Sequence, residues 1–427
     1  MKRIALILIL VLLSLGLGTA VLANKPDRFL DVIVVLDVGP DVPGQIGRDI
    51  AAAVANENGV HAIHTYGNVF SGFAARVPEA VYQRLRNDPL VAFIDYDGPV
   101  SIAGGPPGSG GGGGGSTGQT TPWGISRVGA PVSGNSGAGI DIYILDTGID
   151  PNHRDLNVLG GFAVERCRGG SCGGQDWGDN NGHGTHVAGT AAALNNDVDV
   201  VGVAPGANLW AVKVLSGSGS GSRSGVIAGV DWVAGHRSGR SGPAVANMSL
   251  GGSGSKTGTC TSSGFSGSDA YHAAICNATR QGVVFVVAAG NSGVNAAGAV
   301  PAAYDDTVIT VSATNVNDDW TSWSNWGNQS ADWTSKNSAP VAIAAPGAAI
   351  LSTRAGGGTE SLSGTSMAAP HVAGAAALEL YRNKQVSDFS AFTNVRKNLL
   401  QRAESTNGFS NSSGKPHDED FLNVRGL

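Results

Sequence analysis

Four residues stand, by type and by neighbours, where acyl-transfer chemistry could be done: Asp146, His183, Asn291 and Ser366. Ser366 lies in Gly364-Thr365-Ser366-Met367-Ala368-Ala369-Pro370-His371-Val372-Ala373-Gly374, a Gly-Thr-Ser turn that runs into an alanine-rich stretch with helical spacing. A serine at that junction opens a helix, where unpaired N–H groups and the helix dipole favour developing negative charge. So placed, it either caps the helix, as serine commonly does, or acts as a nucleophile whose own N–H helps to hold an oxyanion. A base, an orienting acid and a second oxyanion donor elsewhere in the chain decide between the two.

His183 lies in Asn181-Gly182-His183-Gly184-Thr185-His186, and its flanking glycines permit close backbone approach. The pair His183 and His186 lacks the glutamate of the zinc-protease His-Glu-x-x-His pattern. His183 therefore reads as a general base and His186 as a packed helix residue. Asp146 ends the apolar run 140–145 and precedes Thr147-Gly148. Asp before Thr-Gly is ordinary turn chemistry, yet the carboxyl end of a strand is where catalytic groups of an α/β sheet gather. Asn291 follows an apolar strand at 283–288. Gly-Asn there makes a turn, and the asparagine amide is also suited to donate to an oxyanion.

These residues need a scaffold that brings strand ends and helix starts together. From residue 119 onward, strands expected at 140–145, 208–215, 244–250, 283–288, 308–313 and 341–345 alternate with helices at 226–237, 269–281, 366–380 and 389–403. That alternation predicts an α/β fold with a mainly parallel twisted sheet and helices on both faces. Before it, residues 31–100 read as a small α+β unit. Its strands fall at 32–36, 72–77 and 91–96, and its helices at 49–57 and 78–85, the latter opening on a proline. Residues 103–118 are a Gly-rich linker that cannot bury a core. No Lys-Ser/Thr follows the glycines, which argues against a phosphate loop.

The chain has 427 residues, with 41% hydrophobic and only 14% charged, as suits a large well-packed enzyme. A net charge of −6 without a basic stripe argues against nucleic acid as a partner. Met1-Lys2-Arg3, the uncharged run 4–17 and Val21-Leu22-Ala23 read as a secretory signal over 1–23, removed on export, rather than a membrane anchor. The four cysteines of an exported chain fit disulfides, expected in sequential pairs, Cys167 with Cys172 and Cys260 with Cys276. Residues 406–427 form a polar tail, expected to be partly disordered or removed.

Taken together, Asp-Thr-Gly at 146–148, His-Gly-Thr-His at 183–186 and Gly-Thr-Ser-Met-Ala-Ala-Pro-His at 364–371 resemble the subtilisin family of serine peptidases. Asn291 stands where the family keeps its oxyanion asparagine, and the resemblance runs from about 122 to 403. It implies a subtilisin-like catalytic domain over 119–405 and a secreted, monomeric endopeptidase acting on polypeptides through an acyl-enzyme. Ser366 would be nucleophile, His183 base, Asp146 the orienting acid and Asn291 the oxyanion donor. The sedolisin variant of the fold would need a glutamate and an acidic oxyanion residue where His183 and Asn291 stand. Ser249, Leu250 and Gly251 resemble the strand that pairs with extended substrate. Ala288, Ala289 and Gly290 would form the opposite wall of the first specificity pocket, with Ala302 near its base. Such a small apolar lining suggests a preference for apolar or aromatic side chains before the cut.

The stretches 72–75 and 88–94 resemble an inhibitor-type propeptide, which implies that residues 24–102 assist folding, block the cleft and are then cut away by self-processing. The loop 194–200 resembles one that wraps a structural Ca²⁺. The implied ligands are the side chains of Gln119, Asp155 and Asn196 and the backbone carbonyls of Leu194, Val198 and Val200, an all-oxygen set. Asp197 and Asp199 depart from the more neutral loop expected there and should face solvent. Trp323-Ser324-Asn325-Trp326-Gly327 resembles a family core segment, so Trp320, Trp323, Trp326 and Trp333 are read as packing residues and not as a sugar platform.

Overall fold

β-Branched density and period-two alternation build the first unit. The strands β1 (Phe29–Leu36), β2 (His64–Tyr66), β3 (Gly72–Pro78) and β4 (Val91–Tyr96) form an antiparallel sheet in the order β2-β3-β1-β4. Helices α1 (Gly44–Glu57) and α2 (Glu79–Arg86) cover one face, and Pro78 caps α2 with φ −63°. Alternate residues of β1 serve two cores. Val32, Val34 and Leu36 pack under α1 and α2, whereas Ile33 and Val35 face the larger domain. The helix expected at 49–57 begins five residues earlier, at Gly44, and β2 is too short to give a sequence pattern. A last strand, β5 (Pro99–Ile102), leaves the unit altogether. This computed structural model describes residues 28–39, 42, 44–102, 111–112, 118–167, 172–240, 242–327, 340–384 and 386–427. The expected signal segment, most of the expected linker and Trp333 lie outside the described residues. Within the linker range, β6 (Gly111–Gly112) is described.

The larger unit follows in alternation: α3 (Trp123–Val128), β7 (Asp141–Asp146), β8 (Val158–Ala163), α4 (His183–Ala192), β9 (Asn208–Lys213), β10 (Ser220–Ser222), α5 (Arg223–Ser238) and β11 (Ala244–Met248). Next come β12 (Leu250–Ser253), β13 (Thr259–Thr261), β14 (Gly264–Ser266), α6 (Ala270–Arg280), β15 (Val283–Ala288), β16 (Ala299–Val300), β17 (Val308–Thr314) and β18 (Val341–Pro346). The chain closes with β19 (Ile350–Thr353), β20 (Thr359–Leu362), α7 (Thr365–Asn383) and α8 (Phe389–Arg402). A seven-stranded parallel sheet in the order β18-β17-β15-β11-β7-β9-β8 lies at the centre. In β7, Ile142 and Ile144 face the core beneath α4 and α7, while Tyr143 and Leu145 face that beneath α5 and α6. Both faces are thus buried, as a parallel sheet requires.

Three local expectations change. The run expected as one strand at 244–250 divides at Ser249 into β11 and β12, which belong to different sheets. β8 was not expected, because Gly160 and Gly161 erase its β-branched signal; the Trp210 ring lies against Gly160. The segment 406–427 is not a loose polar tail. Phe421, Leu422, Val424 and Leu427 are buried in the main core, and Phe421 bridges Ala344 and Glu404. Arg127 lies 4.2 Å over the Phe421 ring and pairs with Asp318 and Glu404. Buried Glu419 accepts from Ser312 Oγ, Trp320 Nε1 and His417 Nδ1. Few apolar residues sufficed because each is buried.

The disulfides are sequential, Cys167–Cys172 and Cys260–Cys276. Trp320 is buried and stacks on His417 at 5.2 Å. Among the described residues no helix is long and apolar enough to cross a membrane.

Candidate active site

Adjacent strands β15, β11 and β7 run parallel, so their carboxyl ends meet on one edge of the sheet. Asp146 is the last residue of β7, Ser249 follows β11, and Asn291 lies just beyond β15. Asp146 is fully buried. Its Oδ1 accepts Thr147 N–H at 2.7 Å and pairs with His183 Nδ1 at 2.8 Å. That contact assigns the Nδ1–H tautomer and leaves Nε2 with its lone pair. His183 Nε2 is buried and has no partner among the described residues. Burial works against the imidazolium, but the charge and hydrogen bond of Asp146, with the charge of Asp179, outweigh it and hold the His183 pKa above its ordinary value. His186 donates Nε2–H to Ile350 O, and burial pushes its pKa down to about 3. It is a neutral packing residue.

Ser366 lies in the first turn of α7. Its Oγ donates to Ser249 O at 3.2 Å, and Ser249 Oγ donates back to Ser366 O at 2.8 Å. Ser366 Oγ therefore bonds to Ser249 rather than to His183. Asn291 is held by its carbonyl, because Oδ1 accepts both Thr365 N–H and Thr365 Oγ1–H at 2.9 Å. Its amide nitrogen is turned toward the Gly364 turn, where an added Cβ would stand 3.1 Å from Nδ2. Nδ2 and the Ser366 turn thus share one wall. Asn291→Ala is expected to lower kcat by roughly 10²–10³-fold, the loss known for the corresponding donor in subtilisin itself. The measurement is turnover of a soluble peptide, with the thermal midpoint as a folding control. Unchanged turnover would show that Asn291 is not the oxyanion donor that the sequence leads one to expect.

Beside this edge lies a cleft of about 400 Å³ lined by Leu250, Gly251, Ala288, Ala289, Gly290, Asn291 and Ala302. Of the expected substrate contacts only Ser249 lies outside the lining, and it touches Ser366 instead. The chain's own strand β5 forms one of its walls through Ser101 and Ile102. β5 runs antiparallel between β10 and β12, with Ser101 opposite both Ser220 and Gly251 and Ile102 opposite Leu250. Ile102 N–H donates to Gly219 O at 2.9 Å, and Val100 is buried in the larger domain's core.

Three carboxylates that sequence reasoning did not single out fix this docking. Asp231 on α5 accepts the N–H groups of Gly67, Asn68 and Val69 and pairs with Arg48 at 3.2 Å. Asp97 accepts Ser224 N–H and Asp95 accepts Ala270 N–H, at the first turns of α5 and α6. Each acid's backbone partner lies more than 100 residues away, so no local pattern betrays it.

The expected ion ligands also converge. Gln119 Nε2 donates to Leu194 O at 2.8 Å, and to Asn196 Oδ1 and Val200 O at 3.3 Å. Asp155 is fully buried and accepts Asn196 Nδ2 at 2.9 Å and Val200 N–H at 3.0 Å. Val198 N–H donates to Asn196 Oδ1 at 2.8 Å. Asp197 is exposed as expected, but Asp199 does not face solvent. It is buried beneath Arg154, which pairs with it at 2.9 Å and removes the cost of an isolated charge.

Residues 137–415 match the Subtilase family and residues 45–103 match Peptidase inhibitor I9. Alkaline elastase YaB from Bacillus sp. (strain YaB) is 39% identical over 332 residues, covering 77% of this chain and 74% of that protein. Subtilisin Savinase from Lederbergia lenta is 43% identical over 294 residues, covering 68% of this chain and 94% of that protein. A solved cold adapted subtilisin-like serine proteinase matches with a TM-score of 0.56 at 34% identity, over 71% of this chain and 98% of that one. The chain belongs to the subtilase family. It is a subtilisin-like serine endopeptidase that carries its own I9-type inhibitor region.

Proposed function

We propose that the protein is a secreted endopeptidase made as a self-processing precursor, with Asp146, His183 and Ser366 as its triad. The observation that carries this reading is the seating of β5 as a third strand between β10 and β12, the posture of a bound peptide. Ser366 Oγ attacks the peptide carbonyl carbon while His183 Nε2 takes its proton. The tetrahedral oxyanion is held by Asn291 Nδ2 and Ser366 N–H. The C–N bond breaks as His183 gives the proton to the leaving amine, and water then releases the acyl group by the reverse sequence. Because the Asp146 charge raises the His183 pKa, the neutral base, and with it kcat/KM, gains only above the ordinary histidine range. That direction suits a relative of an alkaline elastase.

Processing is expected just beyond the seated strand. Residues 24–102 would be the propeptide, 103–118 the Gly-rich segment that is cut, and 119–405 the catalytic domain, to which the packed segment up to residue 427 must be added. Intact mass and N-terminal sequencing of the secreted product test this. A new N-terminus within 103–118 is expected; a product that keeps residues 24–102 attached would overturn self-processing.

The convergent oxygens of Leu194, Asn196, Val200 and Asp155 fit a structural Ca²⁺, with Gln119 contributing through its amide oxygen and Val198 through its carbonyl. The ion would supply positive charge that ties the 194–200 loop to residue 119. At about 100 times Kd such an ion adds roughly 2.7 kcal/mol, so chelation is expected to lower the thermal midpoint of the mature enzyme by about 5–10 °C. Calcium should restore it and magnesium should not. An unchanged midpoint would remove the ion from this loop.

A further inference from the structure

We propose that Asp179 is the positioning residue of this active site, its buried carboxylate tying the strand end that carries Asp146 to the first turn of the helix that carries His183. This rests on the reading of Asp146, His183 and Ser366 as the triad, and assigns a role to a residue outside it.

The Asp179 side chain is fully buried and takes five donors. Oδ1 accepts Thr147 Oγ1–H at 3.0 Å and the N–H groups of Asn181 and Gly182 at 2.9 Å. Oδ2 accepts Thr185 N–H at 2.9 Å and Thr185 Oγ1–H at 2.6 Å. The helix needs this help. Its N-cap is Gly182, at φ 108°, which has no side chain to satisfy the first turn, so a carboxylate three residues upstream does so. Those donors bracket His183 on both sides.

The second link is the Thr147 hydroxyl. It donates to Asp179 and accepts Gly184 N–H at 2.9 Å, while Thr147 N–H holds Asp146 Oδ1. One threonine therefore joins all three of Asp146, Asp179 and the His183 turn. There is no slack between the parts. A Cβ added at Gly184 would lie 2.1 Å from Gly148 O and 3.2 Å from Asp146 Cβ. A shift of the turn must move the imidazole against its carboxylate.

Buried charge here needs compensation. Lys213, opposite Asp146 in the sheet register, is fully buried and donates Nζ–H to Thr147 O, Asn180 Oδ1 and Leu215 O. The charged and titratable groups that act on His183 are Asp146 on β7, Asp179 before α4 and His186 on its own helix, while Lys213 on β9 acts on the two aspartates and Glu360 on β20 lies beside Gly182 and acts on Asp179. Asp179 adds to the anions that favour the imidazolium.

The test compares Asp179→Asn, Thr147→Val and Thr147→Ser as mature enzymes, matured in trans by the wild type if they do not process themselves. Asp179→Asn is expected to lower kcat by roughly 10–100-fold with little change in KM, the scale of a small misplacement of a catalytic group. It should also move the acid limb of the kcat/KM profile to lower pH, since an anion near His183 is gone. A purely structural carboxylate would change stability without moving that limb. Thr147→Val should lose kcat and Thr147→Ser should recover it. An Asp179→Asn enzyme with wild-type kcat, or with an unmoved acid limb, overturns the proposal. If that variant does not fold, the threonine pair decides: equal kcat in Thr147→Val and Thr147→Ser overturns it. Ser366→Ala is assayed alongside. Activity there sinks the triad reading itself, whereas an inactive Ser366→Ala beside a wild-type Asp179→Asn sinks only the positioning role.

Discussion

Ser366→Ala is expected to yield a folded precursor that stays uncut, with peptidase turnover lower by about 10⁶-fold, the drop seen when subtilisin itself loses its nucleophile. The fold should survive for a local reason. Ser366 does not cap α7, because the N-cap is Gly364 and no side chain bonds there. Among the described residues, the only hydrogen bond given up is the 3.2 Å contact to Ser249 O, a change of about 1 kcal/mol. The Ser366 backbone still receives Ser249 Oγ, and Asn291 still holds Thr365. Docking of β5 is untouched, since its partners are Gly219, Ser220, Gly221, Ser222, Leu250 and Gly251. The mutant precursor should therefore remain whole by intact mass, with its inhibitor strand in place, while the wild type sheds that region. Cleavage of the mutant at the wild-type rate would show that Ser366 is not the nucleophile. A mutant that is whole but melts as a different protein would mean that the serine is structural.

The parts of the site that were legible in sequence are those whose chemistry is local. Asp146, His183 and Ser366 each sit in a short run of glycine and threonine that forces a tight turn at a strand end or a helix start. The parallel sheet was legible because its strands are buried on both faces and read as continuous apolar runs. What stayed hidden is long-range. Asp231 grips backbone N–H groups of residues 67–69 across more than 160 positions, and an isolated Asp in a helix carries no mark of that. Asp179 lies in Asp179-Asn180-Asn181-Gly182, which reads as ordinary turn chemistry. The available signal was the glycine at the N-cap of α4, a helix start without its own cap. The closing segment misled for the opposite reason. Its buried residues Phe421, Leu422 and Val424 are few and surrounded by polar ones, so composition alone suggested a solvated tail.

Asp146→Asn is the sharper test of how the site is wired, with kcat expected to fall about 10⁴-fold while the geometry stays intact. The carboxylate uses one oxygen twice. Oδ1 accepts both Thr147 N–H and His183 Nδ1–H, while Oδ2 is buried with no partner among the described residues. An asparagine has to choose. With its carbonyl at the Oδ1 position both bonds survive, but an NH₂ group is buried without an acceptor, at about 1–3 kcal/mol. Turned over, the NH₂ group opposes Thr147 N–H and donates to His183 Nδ1, so the imidazole proton moves to Nε2. A histidine in that tautomer has no lone pair for the Ser366 proton. In both arrangements the Asp146 charge is gone, and Asp179 alone is left to raise the His183 pKa. The residual activity should then show an acid limb at lower pH than the wild type, because the imidazole becomes neutral sooner as pH rises. A variant that keeps wild-type kcat, or one whose acid limb moves upward, would mean that Asp146 neither orients nor charges His183.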